Sequence, residues 1–151
     1  MPRDPKIVSG VMARVKSQNT GPELALRKAL TARGLRYRLH RADIHGKPDI
    51  VFISAKVAVF VDGDYWHGNQ WRLRGHKSLA GQLSKVHNRR FWLAKIQRNM
   101  DRDRQTNSAL RKAGWKVVRI WESRVNKSPD KAAERVVKAV AGRGGGRPPP
   151  P

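Results

Sequence analysis

The chain has 151 residues and no cysteine, a length for one domain with its own core and a composition that excludes disulfides, iron–sulfur clusters, thiolate zinc sites and cysteine nucleophiles. Its 33 Lys+Arg against 11 Asp+Glu leave a formal net charge of +22, and so basic a surface gathers polyanions through counterion release, which makes nucleic acid the expected partner. With no apolar run of about 18 residues and no charged-then-apolar leader, neither a membrane span nor a secretory signal is expected.

Residues 1–19 carry Pro2, Pro5, Ser9, Gly10 and basic residues without periodicity, and read as an N-terminal basic arm. Residues 20–141 read as the folded domain, and 142–151 (GRGGGRPPPP) as a low-complexity tail that cannot pack a core. Thr20-Gly21-Pro22-Glu23 has the capping pattern of a helix start, and Gly34 is a stop, which predicts a helix over about 21–33. Leu35, Tyr37 and Leu39 alternate with Arg36, Arg38 and His40, the pattern of a half-buried strand with a basic outer face. His45 to Pro48 mark a turn. Ile50–Ile53 and Val57–Val61 are short apolar runs split by Ser54-Ala55-Lys56, and read as a hairpin of buried strands.

Asp62 to about Arg89 shows no regular period, and a stretch of that length is functional or disordered. Phe91–Ala113 is helical in pattern, with Trp92, Ile96, Met100 and Leu110 near one face and Gly114 as its end. Trp115–Trp121 is a strand, and Ser128-Pro129 opens a last helix carrying Ala133, Val136, Val137 and Val140. The expected class is α/β, in the order helix–three strands–helix–strand–helix with a small mixed sheet.

In so basic a chain the acids are the informative minority. Asp49 opens the second strand, and Asp62 and Asp64 follow the third. A hairpin centred on Ala55 sets position 49 opposite 61, beside the Val61 backbone and close to Asp62. Carboxylates gathered in a phosphate-binding protein repel each other and the ligand. A hard divalent cation such as Mg²⁺ resolves both conflicts by taking carboxylate and phosphate oxygens together. Turn chemistry at Asp62-Gly63 is the plain alternative. Glu23 is accounted for by reciprocal capping with Thr20 unless its helix end meets the hairpin. His67, just beyond the acidic strand end, suits a general acid or base near neutral pH. Tyr65 and Trp66 suit base stacking or wedging as well as ordinary packing. Arg72, Arg74, Lys85, Arg89, Arg90, Arg98 and Arg102 suit backbone contacts that carry no sequence information.

Four segments in order then carry a resemblance: MARVKSQNTGPE from Met12 to Glu23, Gly46-Lys47-Pro48-Asp49, VFVDGDYWHG ending at Gly68, and FWLAKIQRNMDRDR through GWKVVRIWE. From about Met12 to Glu122 the chain resembles the very-short-patch repair endonucleases, which nick DNA mismatches on a PD-(D/E)xK-type, restriction-endonuclease-like core. The resemblance implies that Asp49 is the central Mg²⁺ ligand, with the Val61 carbonyl as a further ligand. It implies that Glu23 and His67 hold and activate the attacking water, and that Tyr65, Trp66 and Met12 intercalate beside the mismatch. The implied reaction is hydrolysis of the phosphodiester 5′ to a mismatched thymine.

Some family members place a histidine where Asp62 stands, so Asp62 is expected to add a metal carboxylate in place of that base. The zinc-ligand positions of zinc-containing members read Asp64, Asn69, Trp71 and Ser123, so no structural zinc is expected and other contacts or DNA are to hold the 62–90 loop. The expected partner is mismatched double-stranded DNA, with room for a repair protein. The enzyme is expected to be a monomer, cytoplasmic and nucleoid-associated in the bacterial manner, and away from membranes. Two other readings stand beside this one: a homing- or restriction-type nuclease with a sequence-defined target, and a catalytically inactive basic DNA-binding module.

Overall fold

The computed structural model describes residues 19–64, 67–69, 75–83 and 87–143. Helix α1 (Gly21–Ala32) leads into strands β1 (Arg38–Leu39), β2 (Ile50–Phe52) and β3 (Val57–Asp62). A one-turn helix α2 (Leu79–Gln82) precedes the long helix α3 (Arg89–Lys112), and β4 (Lys116–Trp121), α4 (Glu122–Lys127) and α5 (Pro129–Ala141) complete the chain. The expected α/β class and mixed sheet are observed: the order is β1-β2-β3-β4, antiparallel except for the parallel pair β3–β4. Among the described residues no helix is long and apolar enough to cross a membrane.

The N-cap hydroxyls act as read. Thr20 Oγ1 accepts from Glu23 N at 3.3 Å to start α1, and Ser128 Oγ accepts from Lys131 N at 3.2 Å to start α5. Two short helices were not expected, α2 inside the irregular stretch and α4, which leaves β4 without a linker. The folded unit also runs past Ala141: Arg143 Nε donates to the Ala55 carbonyl at 3.0 Å.

The hairpin corrects the expected centre. Ile50 pairs with Val59, Val51 with Ala58 and Phe52 with Val57, so the turn has two central residues, Ser54 and Ala55, rather than three centred on Ala55. Lys56 takes the left-handed conformation (φ +55°) and its N–H closes the turn on the Ile53 carbonyl at 3.2 Å. Continuing that register sets Asp49 opposite Phe60, not Val61.

β2 and β3 are buried on both faces, which explains their unbroken apolar runs. Alternation sends Ile50, Phe52, Val57 and Val59 into a core with α1, α4 and α5, through Leu26, Leu30, Val125, Val136 and Val140. Val51, Ala58 and Phe60 face the other way, onto Leu110 of α3. A smaller cluster ties α2 to α3 through Leu79, Leu83 and Ile96. With period two, Asp49, Asp62 and Arg119 share the α3-facing side of the sheet, with Phe60 between them.

Candidate active site

β3 and β4 run parallel and both chains leave the sheet at their C-terminal ends, the position where open α/β sheets form crevices. A cleft of about 880 Å³ opens there, lined by Glu23, Asp49, Val61, Asp62, His67, Asp103 and Arg119 among others. Two groups of acids and histidines stand at it, Glu23–His40–Asp49 and Asp62–His67–Asp103, each with its potential ligand atoms within 4.8 Å of one another, and Glu122 lines the cleft outside both.

In the first group Glu23 is 1% exposed. Its backbone N–H caps on Thr20, but its carboxylate does not complete the reciprocal box. It accepts from His40 Nε2 at 3.1 and 3.0 Å and from Arg27 Nη1 at 3.1 Å. His40 reaches it because its backbone turns left-handed (φ +47°), ending the alternation that would have pointed the ring outward. Asp49 Oδ2 accepts from the Val61 N–H at 2.8 Å. Burial pushes the Asp49 carboxyl up to about 7; the Val61 bond opposes this, and the charges of Glu23 and Asp62 add to it. No lysine or arginine pairs with Asp49 among the described residues. The turn before Asp49 lies tight on α3: Gly46 is left-handed (φ +79°), and a Cβ there would meet Thr106 Cγ2 at 2.2 Å.

In the second group Asp62 is 5% exposed and its two oxygens accept from Arg119 Nη1 at 2.9 and 3.1 Å. Burial raises the Asp62 carboxyl, and the charges of His67 and Arg119 oppose it. His67 Nδ1 is hydrogen-bonded to Asp103 Oδ2 and lies 3.9 Å from Asp62 Oδ1. Burial lowers the His67 pKa, but the Asp103 hydrogen bond and the Asp62 and Asp103 charges outweigh it and leave the ring above its ordinary value. With Nδ1 donating to the carboxylate, Nε2 is the ring atom left to exchange a proton with a ligand. Arg119 is fixed from three sides, by Asp62, by the Phe60 ring 4.0 Å away and by Asn107 Oδ1 at 2.7 Å.

The cleft therefore gathers Glu23, Asp49, Val61, Asp62 and His67 from the sequence reading and adds Asp103 and Arg119, with His40 behind Glu23. Asp62 is not an open carboxylate, because Arg119 already engages both of its oxygens. Arg102 and Lys47 line the cleft. Arg89 and Arg90 are exposed at the start of α3 and do not. Met12, Tyr65, Trp66, Arg72, Arg74 and Lys85 lie outside the described residues.

The donor set suits a hard cation. Glu23, Asp49 and Asp62 offer only oxygen, and Asp49 is a buried carboxylate paired by no lysine or arginine among the described residues, so a divalent ion would offset the burial and the neighbouring charges that drive its pKa up.

Comparison with known proteins places this chain among DNA-cutting enzymes. The family described as DNA mismatch endonuclease Vsr matches residues 3–73. The chain is 47% identical over 130 residues to the type II nicking enzyme V.NmeDIP of Neisseria meningitidis serogroup C, covering 86% of this chain and 83% of that one. It is 40% identical over 128 residues to the type II nicking enzyme V.HpaIIP of Haemophilus parainfluenzae, covering 85% and 86%. It is 32% identical over 137 residues to the DNA mismatch endonuclease Vsr of Escherichia coli, covering 88% and 83%.

Proposed function

The chain belongs to the Vsr family of DNA endonucleases, and on that premise we propose that it nicks one strand of duplex DNA at a thymine–guanine mismatch in very-short-patch repair, with Mg²⁺ as its cofactor. The observation that carries the reading is the convergence of Glu23, Asp49 and His67 on one cleft of a chain with a net charge of +22.

Asp49 would hold the cation, with the Val61 carbonyl and Asp62 as further oxygens, Asp62 sharing its carboxylate with Arg119. When bound, Mg²⁺ supplies Lewis-acid polarisation of the scissile phosphate and stabilises the charge on the leaving oxygen. His67 takes or gives the proton at Nε2 while Asp103 holds Nδ1 and stabilises the charged ring. Glu23, fixed by His40 and Arg27, orients the attacking water. Arg102 and Lys47 bring the DNA backbone to the cleft without reading bases. Met12, Tyr65 and Trp66 would wedge beside the mismatch, and Arg72, Arg74, Arg89 and Arg90 would extend the phosphate track. The enzyme would work as a monomer on nucleoid DNA in the cytoplasm, a reading its cationic surface supports.

A sequence-directed nick is the second reading, favoured by relatives that bear the name type II nicking enzyme. Nicking of a thymine–guanine duplex, its thymine–adenine control and a set of fully paired sequences separates the two. The mismatch reading expects strong preference for the first; equal cutting of paired DNA at one sequence replaces it with the second. Salt-sensitive binding with no divalent-dependent cleavage on any substrate would make the chain a basic binding module instead.

A further inference from the structure

Beyond the catalytic groups, Asp64 is a hydrogen-bond hub. Its Oδ1 accepts from Asn69 Nδ2 at 2.8 Å and from Ser123 Oγ at 2.7 Å, and its Oδ2 accepts from the Ser123 N–H at 3.0 Å. The Asn69 N–H also donates to the Asp64 carbonyl at 2.7 Å, so the segment closes into a ring at both backbone and side-chain level. Between the two residues sits His67, whose own N–H donates to the Gly63 carbonyl at 3.1 Å. Gly68 follows in the left-handed region (φ +82°), so close to α3 that a Cβ would meet Met100 Sδ at 2.4 Å. Asn69 is 7% exposed, and a buried amide of that kind is stable only with its partners in place.

These residues stand where the resemblance implies a structural zinc in some family members, and they do not fit one. A zinc cage needs thiolates or imidazoles. Here Asp64 offers a carboxylate whose lone pairs already take three protons, Asn69 offers an amide and Ser123 a hydroxyl. Trp71, the fourth position, has no ligand atom for zinc and lies outside the described residues.

We propose that Asp64, Asn69 and Ser123 form a metal-free clamp that ties the His67 segment to the start of α4 and so positions His67 against Asp103. The clamp rests on the nuclease reading for its effect on catalysis but not for its effect on the segment itself. In it Ser123 anchors through two donors, one of them backbone, so the first turn of α4 is the fixed post. Asp64 is the shackle and Asn69 the far end of the loop. None of the three touches substrate; each is a positioning residue.

The test uses the full chain with Asp64→Ala, Ser123→Ala and Ser123→Thr. Hydrogen exchange at the amides of residues 67–69 and 123 is read without DNA or divalent ions, and nicking is read as kcat against KM with Mg²⁺. Exchange is expected to speed at least tenfold in Asp64→Ala and Ser123→Ala and to recover in Ser123→Thr, which keeps the hydroxyl. A kcat loss of tenfold or more with KM held should follow the same order, as outer-shell partners of catalytic groups behave. Zinc measured by atomic emission in the purified wild type is expected below about 0.1 per chain, and a zinc-selective chelator should leave exchange unchanged. Wild-type exchange in both alanine variants, or stoichiometric zinc whose removal frees the segment, overturns the clamp. Faster exchange in the variants of a protein that cuts no DNA would keep the clamp and reject the nuclease reading.

Discussion

Replacing Asp49 by asparagine should stabilise the protein while abolishing its proposed activity. The carboxyl is raised from 3.8 to about 7, and each unit corresponds to about 1.4 kcal/mol between protonation states. A group raised in the folded state keeps its proton longer there than in the unfolded chain. Stability is therefore unaffected below pH 4, falls as the pH climbs from about 4 to 7, and stays lowered above that. At pH 8 the ionised Asp49 costs the fold about 2–4 kcal/mol once some relaxation is allowed. Asparagine keeps an oxygen to accept the Val61 N–H and carries no charge. In a chelator-containing buffer Asp49→Asn should melt about 10 °C above wild type at pH 8, at roughly 3–5 °C per kcal/mol for a domain of this size, and close to it at pH 4.5. Circular dichroism melts at the two pH values read the difference directly. Adding Mg²⁺ should raise the wild-type midpoint and leave the variant where it was. A variant no more stable at pH 8, or one whose gain is the same at pH 4.5, refutes the account of a carboxylate whose charge is penalised by burial.

Asp103→Asn should move the His67 titration downward, because the hydrogen bond and charge that hold it up are weakened; ring-proton shifts followed by NMR check this, and an unmoved midpoint removes Asp103 as its partner. His40→Ala should lower kcat about 10–100-fold by freeing Glu23, with duplex affinity in divalent-free buffer intact, and His40→Gln, which retains a donor, should recover part of the loss. Arg119→Ala leaves the buried Asp62 and nearby Asp103 without their shared cation and should cost about 3 kcal/mol in urea denaturation; a loss under 1 kcal/mol would mean that the carboxylates are solvated.

Much of the framework could be read from residue patterns because its signals are local. Thr20, Ser128 and Pro129 mark helix starts, and the apolar runs of β2 and β3 mark strands buried on both faces. The hairpin register was harder, since a loop with two or three central residues shifts every partner and only the left-handed Lys56 decides. The site residues that escaped notice did leave traces. Ile96, Met100, Asp103, Thr106 and Leu110 recur at helical spacing along α3, so a carboxylate stands on its inward face. Arg119 likewise stands between Val117 and Trp121 on one side of β4. Each trace marks a charge directed inward, but its partner comes from an element remote in the chain, and pattern alone does not supply the pairing. His40 left no such mark, because its direction depends on one backbone angle.

The parallel union of β3 with β4 has a temporal consequence. β1, β2 and β3 pair in succession with no helix between them, but β4 joins the sheet only after α3 has crossed over. Until then the Asp62 carboxylate on β3 lacks its guanidinium and α3 has no completed surface to rest on, and contacts so distant along the chain form late. Asp62 and Arg119, 57 positions apart in the chain, therefore meet among the last contacts as the polypeptide folds.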